Sequence, residues 1–225
     1  MLDYDMYIGE IRSRRDEATF DLIEWRTMMK QVEDEKVMSL SIDSKVPDFR
    51  LLDSRSKTVS LSEVATEARV VLVFYRGYWW PYCRRQLAEL AQHSDTFESL
   101  KVRIYGLSVD TPEQSENIKS NLNLPFELLS IEDRSLLKGW GILNSKEREG
   151  LAYPNVYVVD CELKIIFHSP DRKASRVDSK PLIAFLKAHS DDVTLRKVNK
   201  ELVKVKPLFK EYLMFFPRYL GWTKK

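Results

Sequence analysis

The chain has 225 residues, 44% apolar and 31% charged, with a formal charge of +2. That is an ordinary composition for a globular protein of one large domain, or of one domain with appendages. So small a charge gives no argument for a nucleic-acid partner, no apolar run reaches the length of a membrane span, and the start MLDYDMYIGEIRSRRDE does not have the form of a secretory signal.

Residues 1–42 are charged and helix-compatible, with an intermittent apolar stripe from Ile8 to Val32. They are expected to form an N-terminal helical arm packed on the main domain. Residues 43–190 then alternate strand and helix. VVLVFY at 70–75 is a continuous β-branched run, as in a strand buried on both faces. Pro81 opens a helical pattern that puts Cys83, Leu87, Leu90 and Ala91 on one side. RIYGLSVD at 103–110 predicts a second strand. TPEQSENIKSNL follows as a helix with Thr111 as N-cap and Pro112 as first helical residue. NVYVVD and LKIIFHS predict a hairpin turning at Asp160-Cys161-Glu162, and DSKPLIAFLKAH a last helix with Leu182, Ile183, Phe185 and Leu186 buried. The order predicts an α/β sandwich around a central mixed sheet.

From 191 to 225 the chain interleaves Lys and Arg with Leu213, Phe215, Phe216, Tyr219 and Trp222. A C-terminal helical arm docked on its own domain, or on a second subunit of a homodimer, is the main reading. A peripheral contact with an anionic membrane is the lesser one.

The chemistry-bearing stretch is RGYWWPYCRRQL at 76–87. With Pro81 first in the helix, Cys83 falls in its first turn, at the positive end of the helix dipole, which favours a thiolate. Arg76, Arg84 or Arg85 could add positive charge. A buried structural cysteine is the plainer alternative for a lone thiol. The two cysteines imply no disulfide framework and a reducing, cytoplasmic setting. His93, His168 and His189 have no metal-ligand spacing, and no phosphate loop or dinucleotide glycine fingerprint is present, so neither metal nor cofactor is expected. Arg172, Lys173 and Arg176 read as a basic cluster in a solvated loop.

Pro47-Asp48-Phe49, Phe74-Tyr75-Arg76-Gly77, Trp79, Pro81-Tyr82-Cys83 and the run from Pro154 to Asp160 together resemble the peroxiredoxin-like branch of the alkyl hydroperoxide reductase / thiol-specific antioxidant family. SPDRKASR at 169–176 is similar to the short polar stretch before that branch's last helix. The resemblance spans roughly residues 40–190. It implies a thioredoxin fold and a thiol-dependent antioxidant oxidoreductase. Cys83 would be nucleophile with Arg76 and Arg84 as electrostatic support. Trp79, Trp80, Tyr82, Tyr153 and Pro154 would line the substrate site, with Trp79, Trp80 and Tyr82 as an apolar lip. The substrate would be a small hydroperoxide or a disulfide, and the reductant an external thiol.

The departures are specific. Trp80 stands where a dithiol site has its attacking cysteine, which excludes exchange within the motif. In the peroxiredoxin register Pro-x-x-x-Thr-x-x-Cys, Arg76 replaces the proline and Trp80 the hydroxyl residue, and Pro154 falls where the family carries an arginine. Of that constellation only Cys83 remains. Pro154 instead suggests a thioredoxin-like proline after a cis Tyr153–Pro154 bond. Cys161, six strand residues of roughly 3.3 Å each beyond the site, is expected about 20 Å away. A disulfide needs Cα atoms within about 7 Å, so turnover would be of the one-cysteine kind. The alternative is a redox-inactive binding or scaffold module of the same fold, presenting a Trp79-Trp80 surface to a partner peptide.

Overall fold

The computed structural model describes residues 39–171 and 176–189. In chain order the elements are β1 (Arg50–Asp53), β2 (Thr58–Ser60), α1 (Leu61–Ala65), β3 (Arg69–Phe74), α2 (Pro81–Gln92) and α3 (Ser94–Ser99). There follow β4 (Val102–Ser108), α4 (Pro112–Leu122), β5 (Glu127–Ser130), α5 (Ser135–Gly139), β6 (Leu143–Asn144) and β7 (Leu151–Ala152). The last three are β8 (Asn155–Val159), β9 (Ile165–Pro170) and α6 (Ser179–Ala188).

Seven strands form one mixed sheet in the order β2-β1-β5-β4-β3-β8-β9, with β6 and β7 as a separate two-stranded ribbon. β3, β4 and β5 run parallel, while β8 is antiparallel to β3 and β9 to β8. The alternation of β3 explains its central place. Val71 and Val73 enter one core with Leu87 and Leu90 of α2 and Leu182, Phe185 and Leu186 of α6. Val70, Leu72 and Phe74 enter the other with Leu61 of α1, Leu137 of α5 and Trp140. A strand with both faces covered must be apolar on both, as the sequence of β3 is. The expected α/β sandwich with a mixed sheet is therefore present.

Local signals fix several ends. Thr111 and Gln114 form a reciprocal capping box at the start of α4. Asp178 accepts from the Lys180 N–H at the start of α6 (2.9 Å). The Asp160 carboxylate accepts from the N–H groups of Glu162 and Lys164 (both 2.9 Å), which closes the β8–β9 turn. The strand expected over 103–110 ends at Ser108, because the Ser108 hydroxyl captures the Asp110 N–H and interrupts the ladder. The N-terminal arm, apart from residues 39–42, and the C-terminal arm lie outside the described residues, and with them the homodimer and membrane readings.

The topology brings three chain segments to one end of the sheet. Phe74 at the end of β3 pairs with Asn155 at the start of β8, and Asn155 pairs with Pro170 at the end of β9. The loop into α2, the Tyr153–Pro154 entry to β8 and the segment leaving β9 therefore meet there. This is the carboxyl end of the parallel strands, where open α/β sheets place their ligands.

Candidate active site

Cys83 lies in the first turn of α2, whose N-cap is Trp80 and whose first residue is Pro81. Its own N–H is taken by the Trp80 carbonyl (3.1 Å), so the donors on the sulfur come from elsewhere. The backbone N–H of Arg76 donates to Sγ at 3.4 Å, and Nη2 of Arg176 donates to it at 3.1 Å. Cys83 and both arginines are buried. The sulfur therefore accepts from a guanidinium and from a backbone N–H, at the N-terminal end of a helix.

Gly77 lets Trp79 and Asp110 pack closely against the turn before α2. Its φ of +152° lies in the region that favours glycine, and a Cβ there would meet Trp79 Nε1 at 2.6 Å and Asp110 Oδ1 at 3.1 Å. The Trp80 N–H closes the turn on the Gly77 carbonyl (3.1 Å), which folds both indoles inward.

The expected site residues are distributed differently from the sequence reading. Arg76 reaches the sulfur with its backbone. Its guanidinium forms an ion pair with Glu147 and lies 5.0 Å from the Trp80 ring centroid. Arg84 turns to the Tyr78 carbonyl (3.4 Å). Neighbours at i and i+1 do not share a helix face, so Arg84 cannot follow Cys83 inward, and the guanidinium on the sulfur is that of Arg176. The Arg172-Lys173-Arg176 cluster thus needs correction. Arg176 is a buried partner of Cys83, while Arg172 and Lys173 lie outside the described residues.

Trp79 and Trp80 form no exposed lip. They are 3% and 2% exposed, packed edge to face at 5.5 Å, with the Arg148 guanidinium 4.3 Å from the Trp79 ring centroid. Burying so much aromatic area outweighs presenting it to water. Tyr82 is half-buried and stacks on Trp80 at 6.1 Å. Burial pushes its phenol up, and the nearby Arg176 charge draws it back.

Pro154 is buried at the entry to β8, and Tyr153 packs against the core on the other face of the sheet. The Tyr153–Pro154 bond is trans, as are all peptide bonds among the described residues. This corrects the expected cis bond and follows the intrinsic preference of an X-Pro bond. Cys161 is exposed and, like Cys83, free. It follows Val159, which pairs with Val70 at the opposite end of β3 from the site, as the strand arithmetic requires.

Two buried carboxyls stand near the site. Asp110 accepts from the Ser108 hydroxyl (2.9 Å), and burial raises it to about 6 despite hydrogen bonds from Ser108, the Tyr78 N–H and Tyr75. Asp171 is likewise raised to about 6 by burial, against the pull of Arg176 and its hydrogen bonds. A carboxyl raised in the fold contributes stability that is complete below its ordinary value and lost as pH rises through about 6. Stability of the parent chain to urea should therefore fall as pH rises from about 4 to about 6 and level off above that, with Asp110 and Asp171 both contributing. Asp110→Asn should flatten that slope.

Among the described residues no group of three or more His, Cys, Asp or Glu side chains could hold a metal ion. The chemistry available is that of one buried sulfur under a buried guanidinium. The mixed sheet, the strand-turn-helix start and this sulfur define a thioredoxin-fold thiol protein. The sequence model of the AhpC/TSA family matches residues 42–168, and the chain belongs to that family. Among curated relatives, peroxiredoxin Bcp of Bacillus subtilis is 28% identical over 133 residues, 57% of this chain and 84% of that one. Peroxiredoxin Bcp of Escherichia coli is 28% identical over 148 residues, 64% of this chain and 94% of its own length. The crystal structure of peroxidoxin BcpB from Mycobacterium tuberculosis superposes with a TM-score of 0.62 at 18% identity, covering 67% of this chain and 98% of that one. The likeness is one of fold and carries no site residue across.

Proposed function

We propose that the chain is a one-cysteine thiol peroxidase acting on small hydroperoxides. The observation that carries this reading is the Arg176 guanidinium on the Cys83 sulfur, together with membership of a family whose matched relatives bear the name peroxiredoxin. The Cys83 thiolate attacks the distal peroxide oxygen, the O–O bond breaks as the S–O bond forms, and the leaving oxygen takes up a proton as alcohol or water. The guanidinium compensates the charge that moves from sulfur to oxygen in that step. Cys161 is exposed at the far end of the sheet, so an external thiol condenses with the sulfenic acid. Water is released and a mixed disulfide forms. A second thiol then frees Cys83 and leaves as a disulfide.

The burial of Cys83 favours a small hydroperoxide over a bulky disulfide as oxidant. Side chains around the sulfur must part for it to enter. Trp80, where related sites carry a hydroxyl or a thiol, leaves the peroxide to be oriented by the guanidinium and by backbone donors. The reading includes a reducing, cytoplasmic setting, which two unbridged cysteines support. The rival binding module loses its main support, because the Trp79-Trp80 surface it needs is buried. Peroxide consumption by the full chain with dithiothreitol, and its loss on Cys83→Ser, tests the proposal.

A further inference from the structure

Arg176 reaches Cys83 from the segment between β9 and α6, and that segment is fastened to α2 at three successive levels. Cys83, Gln86 and Glu89 follow one another at intervals of three along the helix and so share one side of it. Cys83 receives Arg176 (3.1 Å). Gln86, buried, donates its amide to the Asp171 carboxylate (3.3 Å) and to the Val177 carbonyl (3.4 Å). Glu89 accepts from the Ser179 N–H (3.1 Å) and hydroxyl (2.5 Å).

Asp171 is the centre of this fastening. Its Oδ1 accepts from the Val177 N–H (3.1 Å), the residue directly after Arg176, and from the Ser169 hydroxyl on β9 (3.0 Å). Its N–H donates to the Pro154 carbonyl (3.1 Å). One residue thus joins β9, the entry to β8, the α2 helix and the backbone that carries Arg176, the β8 link through its main chain and the others through its carboxylate. A Glu89 clamp on α6 alone would hold the helix. It would leave the position of residue 176, three residues earlier, undetermined.

We infer that Asp171, together with Gln86, is a positioning residue that fixes the Arg176 guanidinium on the Cys83 sulfur. The inference deepens the peroxidase reading by naming what keeps the thiol activated. The sulfur needs its donor within a few tenths of an ångström. An arginine on an unfastened segment would lose most of that contact to its own side-chain freedom. Among the described residues, the charged and titratable groups that face this point are Asp171 and Arg176 on the segment, Tyr82 and Cys83 on α2, and Arg76 from the β3–α2 loop through its N–H. Asp171 lies near 6, so it is ionised across the alkaline range in which a thiol is followed.

The test uses the full chain carrying Cys161→Ser, which leaves Cys83 as its one thiol. Iodoacetamide alkylation is followed against pH. The plateau rate reads access to the sulfur, and the midpoint reads how strongly the thiolate is favoured. Asp171→Ala and Gln86→Met should each move the midpoint upward, the first by about one pH unit, the size of losing one close charge partner. Arg176→Met sets the full shift. Asp171→Ala added to Arg176→Met should move it no further, since a residue that acts through Arg176 has nothing left to position. An unchanged midpoint in both single variants, or a full additional shift in the Arg176→Met background, overturns the inference. So does an equal midpoint in the Arg176→Met and parent chains. Gln86→Met decides the matter where Asp171→Ala does not fold. The midpoint needs no peroxide, so a parent chain that shows the coupling yet consumes none overturns the activity and leaves the positioning role standing.

Discussion

Cys83→Ser in the full chain should reduce dithiothreitol-dependent peroxide consumption to the rate of buffer, a loss of at least roughly 1,000-fold, as expected when the nucleophile of a covalent mechanism is removed. A serine hydroxyl is not ionised at neutral pH and does not attack an O–O bond. The Arg176 and Arg76 donors retain an oxygen acceptor in place of sulfur, so the local geometry has a reason to persist. The thermal midpoint and far-ultraviolet dichroism of the variant should therefore stay close to the parent's. Cys161→Ser should keep full activity, because Cys161 is exposed in the β8–β9 turn, at the other end of β3 from the site. Equal loss in the two variants would contradict a one-cysteine cycle and point to the pair acting together.

Arg176→Met should keep the cysteine and lose its charge partner. A hydrogen bond to a charged group is worth about 1.5–3 kcal/mol. The rate of Cys83 oxidation should thus fall by about 10- to 100-fold, at 1.4 kcal/mol per tenfold. Methionine fills much of the arginine stem's volume without a donor, so the loss reads charge rather than an empty space. Arg176→Lys should recover only part of the rate, since a flexible ammonium does not reproduce the guanidinium's fixed geometry. The oxidation is followed by stopped flow through tryptophan fluorescence. Trp80 stacks on Tyr82 one residue from Cys83 and should report a change at the sulfur. Arg84→Met is the matched control. Its guanidinium is on the Tyr78 carbonyl, and the oxidation rate should change by less than about threefold, in the range of a half-exposed surface contact.

The difference between these two arginines marks the limit of what the sequence discloses. Arg84 is adjacent to Cys83 and Arg176 is 93 positions away, yet the guanidinium that donates to the sulfur is that of Arg176. The long-range answer was nonetheless encoded. The hairpin of β8 and β9 begins at Pro154 beside the site, and a hairpin must bring its second strand back to where its first began. Pro170 pairs opposite Asn155 for that reason, and Arg176, six residues further on, reaches the thiol. A hairpin can be read from its pattern, but that Arg176 turns inward goes with the Asp171 and Gln86 contacts, which have no local signature.

β3, α2, α4 and the β8–β9 hairpin were legible because each carries its own period or cap. Val70 to Phe74 are apolar on both faces, and Thr111 with Gln114 caps α4 without help from elsewhere. The short strands were not. β6 and β7 have two residues each and exist through each other, and β1 is held between β2 and β5. The fate of Trp79 and Trp80 was hidden in the same way. In a loop at the end of a sheet, paired indoles suggest an exposed lip. Here both are folded inward, Trp79 under Arg148 of the loop between β6 and β7 and Trp80 under Arg76.

Under the proposed mechanism, environment rather than exposure makes Cys83 the reactive thiol, and the two cysteines of the chain provide the comparison. One equivalent of hydrogen peroxide is added to the reduced full chain in the presence of dimedone, and the peptides bearing Cys83 and Cys161 are followed by mass spectrometry. Dimedone, which traps sulfenic acid, should label the buried Cys83 first, with Cys161 left as free thiol. Labelling of the exposed Cys161 with none at Cys83 would contradict it.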